Sequence, residues 1–88
     1  MKIHNYSAGP CVLPQSVMQK AAEAVINYNN TGLSILEMSH RSKEFVGVMD
    51  RSIALVKELL SVPEGYEVLF LQGGASSQFY MSALNFLP

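Results

Sequence analysis

Charge is scarce in this chain of 88 residues: only 15% is Asp, Glu, Lys or Arg, against about 25% in an ordinary globular domain. The net charge is −1 and Lys and Arg form no cluster. That argues against nucleic acid and against an anionic membrane surface as partners. Cysteine is nearly missing. A single Cys11 excludes an internal disulfide framework and fits a reducing compartment. It lies between Pro10 and Pro14 with no His or Cys at ligand spacing, so a metal site has little support and Cys11 is expected to be a small buried residue. No uninterrupted apolar run exceeds four residues, and the first residues, MKIHNYSAG, contain no apolar core. Neither a transmembrane helix nor a signal peptide is expected, and the cytoplasm is the expected location. Internal repeats, low-complexity tracts and linkers are also missing.

What is abundant is apolar surface, at 49% of residues. A domain this short buries only about 60% of its extended-chain surface. So much apolar material fits a piece of a larger core better than a self-sufficient unit, and the apolar ending Leu84, Phe86, Leu87, Pro88 fits it too. A small domain that covers its excess in an oligomer is the alternative.

Met1 to Leu13 reads as an irregular arm punctuated by Gly9, Pro10 and Pro14, with Ser7 to Pro10 forming a turn. Pro14 suits a first helical residue. Val17, Met18, Ala21, Ala22 and Val25 recur at helical spacing, which predicts a helix to about Asn29, ended by Asn29, Asn30 and Gly32. Leu33 to Met38 alternates loosely and reads as extended. The polar block Ser39-His40-Arg41-Ser42 is then a loop before a helix, a common place for binding residues. Arg41 can present a planar fork to a carboxylate or phosphate; it can equally form a surface ion pair with Glu37 or Glu44. His40 can donate, accept or change charge near neutral pH, or can be a packed loop residue. Ser42 suits an N-cap for a helix from about Lys43 to Leu60, striped by Phe45, Met49, Ile53, Val56 and Leu60. Ser61, Pro63 and Gly65 break the chain.

The stretch with most chemistry is Glu67 to Phe79, EVLFLQGGASSQF. Val68 to Leu71 reads as a strand buried on both faces. Gly73 and Gly74 end it, Ala75, Ser76 and Ser77 follow, and Gln78 to Leu87 can be helical. A strand, a Gly-rich turn and a helix together aim free backbone N–H groups at one point. The helix adds roughly half a positive charge there. Gly74 to Ser77 therefore read as a phosphate cup, with the Ser76 and Ser77 hydroxyls as further donors. Either serine can instead merely cap the helix. No Lys follows the glycines and no G-x-G-x-x-G spacing occurs, so neither a Walker A loop nor a dinucleotide fingerprint is present.

Three segments, SAGPCVLP, GLSILEMSHRSKEF and EVLFLQGGASSQF, occur in the order and spacing in which they occur in phosphoserine aminotransferases, and the chain resembles the N-terminal portion of that family along essentially its whole length. The resemblance implies an α/β fold of the fold type I, class V group of pyridoxal 5'-phosphate enzymes. Residues 1–88 would be one N-terminal part of the large domain, with no domain boundary inside it. The implied reaction moves an amino group between L-glutamate and 3-phosphohydroxypyruvate, giving O-phosphoserine and 2-oxoglutarate, in serine and in some cases pyridoxine biosynthesis. The implied assembly is a homodimer with active sites at the interface.

Carried onto this sequence, the resemblance places the cofactor phosphate on the Ala75 and Ser76 N–H groups and the Ser76 hydroxyl, in the cup of Gly74 to Ser77. It places the substrate's acidic groups on Arg41, with His40 beside it, and a substrate contact at Ala8, where some relatives carry serine. None of Lys2, Lys20, Lys43 and Lys57 matches the lysine that holds the cofactor as a Schiff base. The aspartate for the pyridine nitrogen and the stacking aromatic have no match either, so these residues alone are expected to be inactive. Two other readings remain: a small non-catalytic phosphate-binding module, and another class V aminotransferase or a cysteine desulfurase.

Overall fold

The computed structural model describes residues 1–88 and contains three α-helices: α1 (Gln15–Ile26), α2 (Lys43–Leu59) and α3 (Gly74–Phe86). Two 3-10 turns, Tyr28–Asn30 and Ile35–Glu37, lie between α1 and α2. The chain divides into two units, Met1–Val48 and Met49–Pro88, with the division inside α2.

In the first unit, α1 starts directly after Pro14, which stands at the N-cap with φ −55°. It ends three residues earlier than its periodicity suggests. Asn27 swings to φ −159°, and Asn29 and Asn30 take φ 45° and 58°. Asparagine tolerates that left-handed region better than most residues. The loop is then tied by Gly32 N donating to Asn27 Oδ1 (2.9 Å), Tyr28 N to Leu33 O (2.8 Å) and Thr31 Oγ1 to Tyr28 O (2.7 Å). Both 3-10 turns pack on α1.

Leu33 to Met38 is not extended as expected, because Ile35–Glu37 forms a 3-10 turn. Ser34 Oγ accepts from Leu36 N (3.1 Å), while the Glu37 carboxylate accepts from Ser34 N (2.8 Å). This reciprocal capping box satisfies donors that a strand would have had to pair elsewhere.

Helix α2 matches its expected range closely. Ser42 caps it: its carbonyl accepts from Val46 N (2.9 Å) and its hydroxyl from Phe45 N (3.2 Å). Replacing Ser42 by Ala in the full-length protein should lower unfolding free energy by about 1 kcal/mol, read from denaturant midpoints. Asp at the same position should restore most of it, and equal stability of all three would remove the cap from the account. Phe45, Ile53 and Val56 on the apolar stripe are half-buried. At the other end, Val62 N donates to Lys57 O (2.9 Å) and Ser61 N to Glu58 O (3.3 Å). That is a Schellman ending, with Ser61 at φ 50° where glycine is usual.

In the second unit, Gly65 (φ 90°) turns the chain, with Tyr66 N donating to Pro63 O (3.3 Å). Lys57 Nζ meets Glu67 Oε2 at 3.3 Å, an exposed pair that contributes little to stability. The strand expected over Val68 to Leu71 is not formed: the structure contains no β-ladder. The reason is geometric. A strand exists only by pairing its N–H and C=O groups with a neighbour, and no other segment of these 88 residues supplies one. Leu69 and Leu71 instead line an open groove with Met81 and Phe86 of α3.

No side chain is fully buried, and Cys11, expected inside, is exposed. The chain exposes 7971 Å², whereas a folded monomer of its mass exposes about 5,100 Å². Large hydrophobic side chains are among what is exposed: Phe79 and Phe86 are 80% and 86% accessible. Cys11 and the Val68–Leu71 run share one cause, namely apolar groups that nothing within these residues covers. No helix is long and apolar enough to cross a membrane.

Candidate functional site

Helix α3 begins four residues before the expected Gln78, so Gly74, Ala75, Ser76 and Ser77 form its first turn. Two successive glycines at positive φ, Gly73 (101°) and Gly74 (61°), swing the chain from the Val68–Leu71 run into the helix. Side-chain-bearing residues rarely adopt such a pair of conformations. Gly73 is constrained by space as well. A Cβ there would lie 2.5 Å from Ser77 Cβ and would also overlap the Ser77 hydroxyl. A Cβ on Gly74 would meet nothing within 4 Å.

The first turn has no side-chain cap and no acidic residue. Ser77 N donates to Gly73 O at 3.4 Å, the first bond of the helix, while the N–H groups of Gly74, Ala75 and Ser76 have no acceptor within the chain. Neither serine hydroxyl is committed to a hydrogen bond. Gly74, Ala75 and Ser76 are exposed. Three free donors therefore gather at the positive end of a helix dipole, with no carboxylate to compete. This donor set matches a phosphate dianion, which offers only acceptor oxygens. Since the Ser77 amide is spent on the helix, Ser77 has only its hydroxyl to offer.

The second group is the turn Ser39–Ser42. Ser42 N donates to Ser39 O (2.9 Å) and Arg41 N to Ser39 Oγ (3.2 Å), which fixes His40 and Arg41 as its two central residues. Both are exposed. The alternative of an ion pair for Arg41 is not realised, since the one salt bridge is Lys57–Glu67 and the Glu37 carboxylate is held by Ser34 N. The guanidinium is free to meet an anion with both prongs.

The third group is the loop carrying Ala8. Ala8 is exposed, next to Gly9 at φ 88°, and no hydrogen bond joins it to His40 or Arg41. Sequence reasoning passed over two residues here and in the cup. Gly73 lies in the expected Gly-rich turn but not among the expected cup residues Gly74 to Ser77, and its close approach to Ser77 leaves no mark in the sequence. Asn5 was not singled out, although Asn-x-Ser is a recurrent side-chain turn.

A family model for aminotransferase class-V matches residues 3–88. The chain belongs to the class-V aminotransferase family. Among curated relatives of this class-V chain, a phosphoserine aminotransferase of Porphyromonas gingivalis is 61% identical over 87 residues, covering 99% of this chain and 24% of that protein. One of Bacteroides fragilis is 58% identical over 87 residues, with the same coverage. The chain thus spans about a quarter of the length of the curated relatives it matches. Among solved structures, phosphoserine aminotransferase from Bacillus circulans subsp. alkalophilus superposes with TM-score 0.86 at 46% identity, over 96% of this chain and 23% of that one. A PLP-bound phosphoserine aminotransferase from Trichomonas vaginalis gives TM-score 0.88 at 37% identity, over 98% and 25%. The course of the backbone described above is therefore that of the corresponding quarter of these class-V enzymes.

Proposed function

We propose that this class-V chain is the N-terminal part of a phosphoserine aminotransferase of fold type I, acting in the cytoplasm as a homodimer with its active sites at the subunit interface. The reaction is amino transfer between L-glutamate and 3-phosphohydroxypyruvate, with pyridoxine biosynthesis a second use. The observation that carries this reading is the uncapped, acid-free first turn of α3 within EVLFLQGGASSQF. The named relatives and the PLP-bound neighbour support it.

In this reading the N–H groups of Ala75 and Ser76 and the Ser76 hydroxyl hold the phosphate of pyridoxal 5'-phosphate, with Gly74 giving its oxygens close approach and Ser77 adding a hydroxyl. The bound cofactor supplies an electron sink for the carbon that loses its proton. Arg41 takes an acidic group of the substrate in two parallel charge-assisted bonds, which fixes orientation as well as affinity. His40, adjacent on the same rigid turn, adds a donor toward the substrate phosphate. Ala8 presents backbone rather than a hydroxyl to the substrate.

The covalent anchor for the cofactor lies outside these residues in this proposal. Lys57 is paired with Glu67 and Lys2 donates to Leu13 O (3.1 Å), while Lys20 and Lys43 belong to α1 and α2. The test is glutamate-dependent conversion of 3-phosphohydroxypyruvate. The full-length protein should turn it over, and the 88 residues alone should not. A full-length protein that binds phosphate but never transaminates would favour the non-catalytic module, and one active only on an unphosphorylated oxo acid would favour another class-V enzyme.

A further inference from the structure

Asn5 is the most heavily used side chain of the N-terminal segment. Its Oδ1 accepts from Ser7 N (3.1 Å) and from Ser7 Oγ (2.7 Å), and its Nδ2 donates to Pro10 O (2.9 Å). Its carbonyl also accepts from Val12 N (2.8 Å). One residue thus grips both ends of the Ser7–Pro10 loop and closes the longer loop to Val12. Asn5, Ser7 and Pro10 are exposed in the chain and Val12 is half-buried, so the side-chain bonds are not a means of burying polar atoms. What they do is fix the backbone between them. Inside the clamp, the N–H groups of Ala8 and Gly9 have no partner. Adjacent unpaired amides beside a left-handed residue form a concavity that favours an anionic group.

We propose that Asn5 is a positioning residue, holding the Ala8 and Gly9 amides rigidly toward an acidic group of the substrate. The proposal deepens the function proposed above and rests on it for the identity of that group. Asn5 touches no substrate in this account and acts only through the loop. A side chain of this shape is needed because one end must accept twice while the other donates. Asp keeps the double acceptor and loses the donor to Pro10. Ala loses all three contacts.

The experiment compares wild type, Asn5→Ala and Asn5→Asp in the full-length enzyme loaded with cofactor. Steady-state kinetics with 3-phosphohydroxypyruvate are run beside amide hydrogen exchange over residues 5–12. Asn5→Ala should raise KM by about tenfold, the factor expected when donors are present but no longer held in place, with kcat changed far less. Exchange at Ser7 and Val12 should quicken, and Asn5→Asp, which keeps the acceptor for Ser7 but sets a carboxylate oxygen against Pro10 O and a negative charge beside the amides, should recover slow exchange at Ser7 without recovering KM. An unchanged KM in Asn5→Ala overturns the proposal, as does a fall in kcat at constant KM. Quickened exchange with unaltered KM overturns it too, since the clamp would then serve only the fold. If wild type itself shows no transamination, the functional reading fails, a result separate from these.

Discussion

Gly73→Ala in the full-length protein should weaken cofactor binding by at least about tenfold, the factor that 1.4 kcal/mol represents. Two effects combine. The residue stands at φ 101°, where an L side chain costs about 1–2 kcal/mol. Its new Cβ would also press on Ser77 at 2.5 Å, a contact relieved only by moving the first turn of α3. Those are the residues whose free amides are proposed to hold the phosphate, so the displacement falls on the binding geometry itself. Gly74→Ala is the matched control. It carries a similar strain at φ 61° and meets no protein atom, but its methyl would stand where the phosphate is proposed to approach, so it should weaken binding without displacing Ser77. Spectroscopic titration of the apoenzyme with pyridoxal 5'-phosphate reads both. Wild-type affinity in Gly73→Ala would show that the entry to α3 does not shape the site.

Arg41→Ala in the same protein should raise KM for 3-phosphohydroxypyruvate by about tenfold to a hundredfold. A hydrogen bond to a charged group is worth about 1.5–3 kcal/mol, and Arg41 makes no ion pair in the chain that would have to be broken first. Arg41→Lys should recover only part, because an ammonium keeps the charge and loses the planar fork. Cofactor affinity should be unaffected, which separates this residue from the cup. Unaltered kinetics in Arg41→Ala would take it out of the substrate site.

These two predictions differ in how far they were legible in the sequence. The helix entry on which the proposed cup rests has local determinants: an apolar run, paired glycines, small residues and a helix lie consecutively within Glu67 to Phe79. Its fine structure was not legible. The sequence predicts helix only from Gln78, whereas two left-handed glycines let α3 begin at Gly74. The freedom of Arg41 was undecidable from spacing, since Glu37 stood near enough to pair with it. Only the structure places that carboxylate on Ser34 N. The same capping box explains why Leu33 to Met38 is not extended.

Helix α2 was legible at both ends. Its stripe spans four turns, Ser42 is a local cap, and it stops at Leu59, four residues before Pro63. Non-local features were missed for a different reason. The Val68–Leu71 strand needs neighbouring strands, and Cys11 needs a covering surface, and neither can be supplied by a chain in which no side chain is buried. The Asn5 clamp escaped notice because its bonds run from one side chain to several backbone positions and leave no periodic signature.

The central claim is that the first turn of α3 grips the cofactor phosphate, and it is tested most directly by a crystal structure of the full-length protein with pyridoxal 5'-phosphate bound. The expected result is phosphate oxygens within about 2.7–3.2 Å of the Ala75 and Ser76 amide nitrogens, with the Ser76 hydroxyl also in contact. A phosphate seated elsewhere, with those amides turned to water or paired with another stretch of chain, would contradict it.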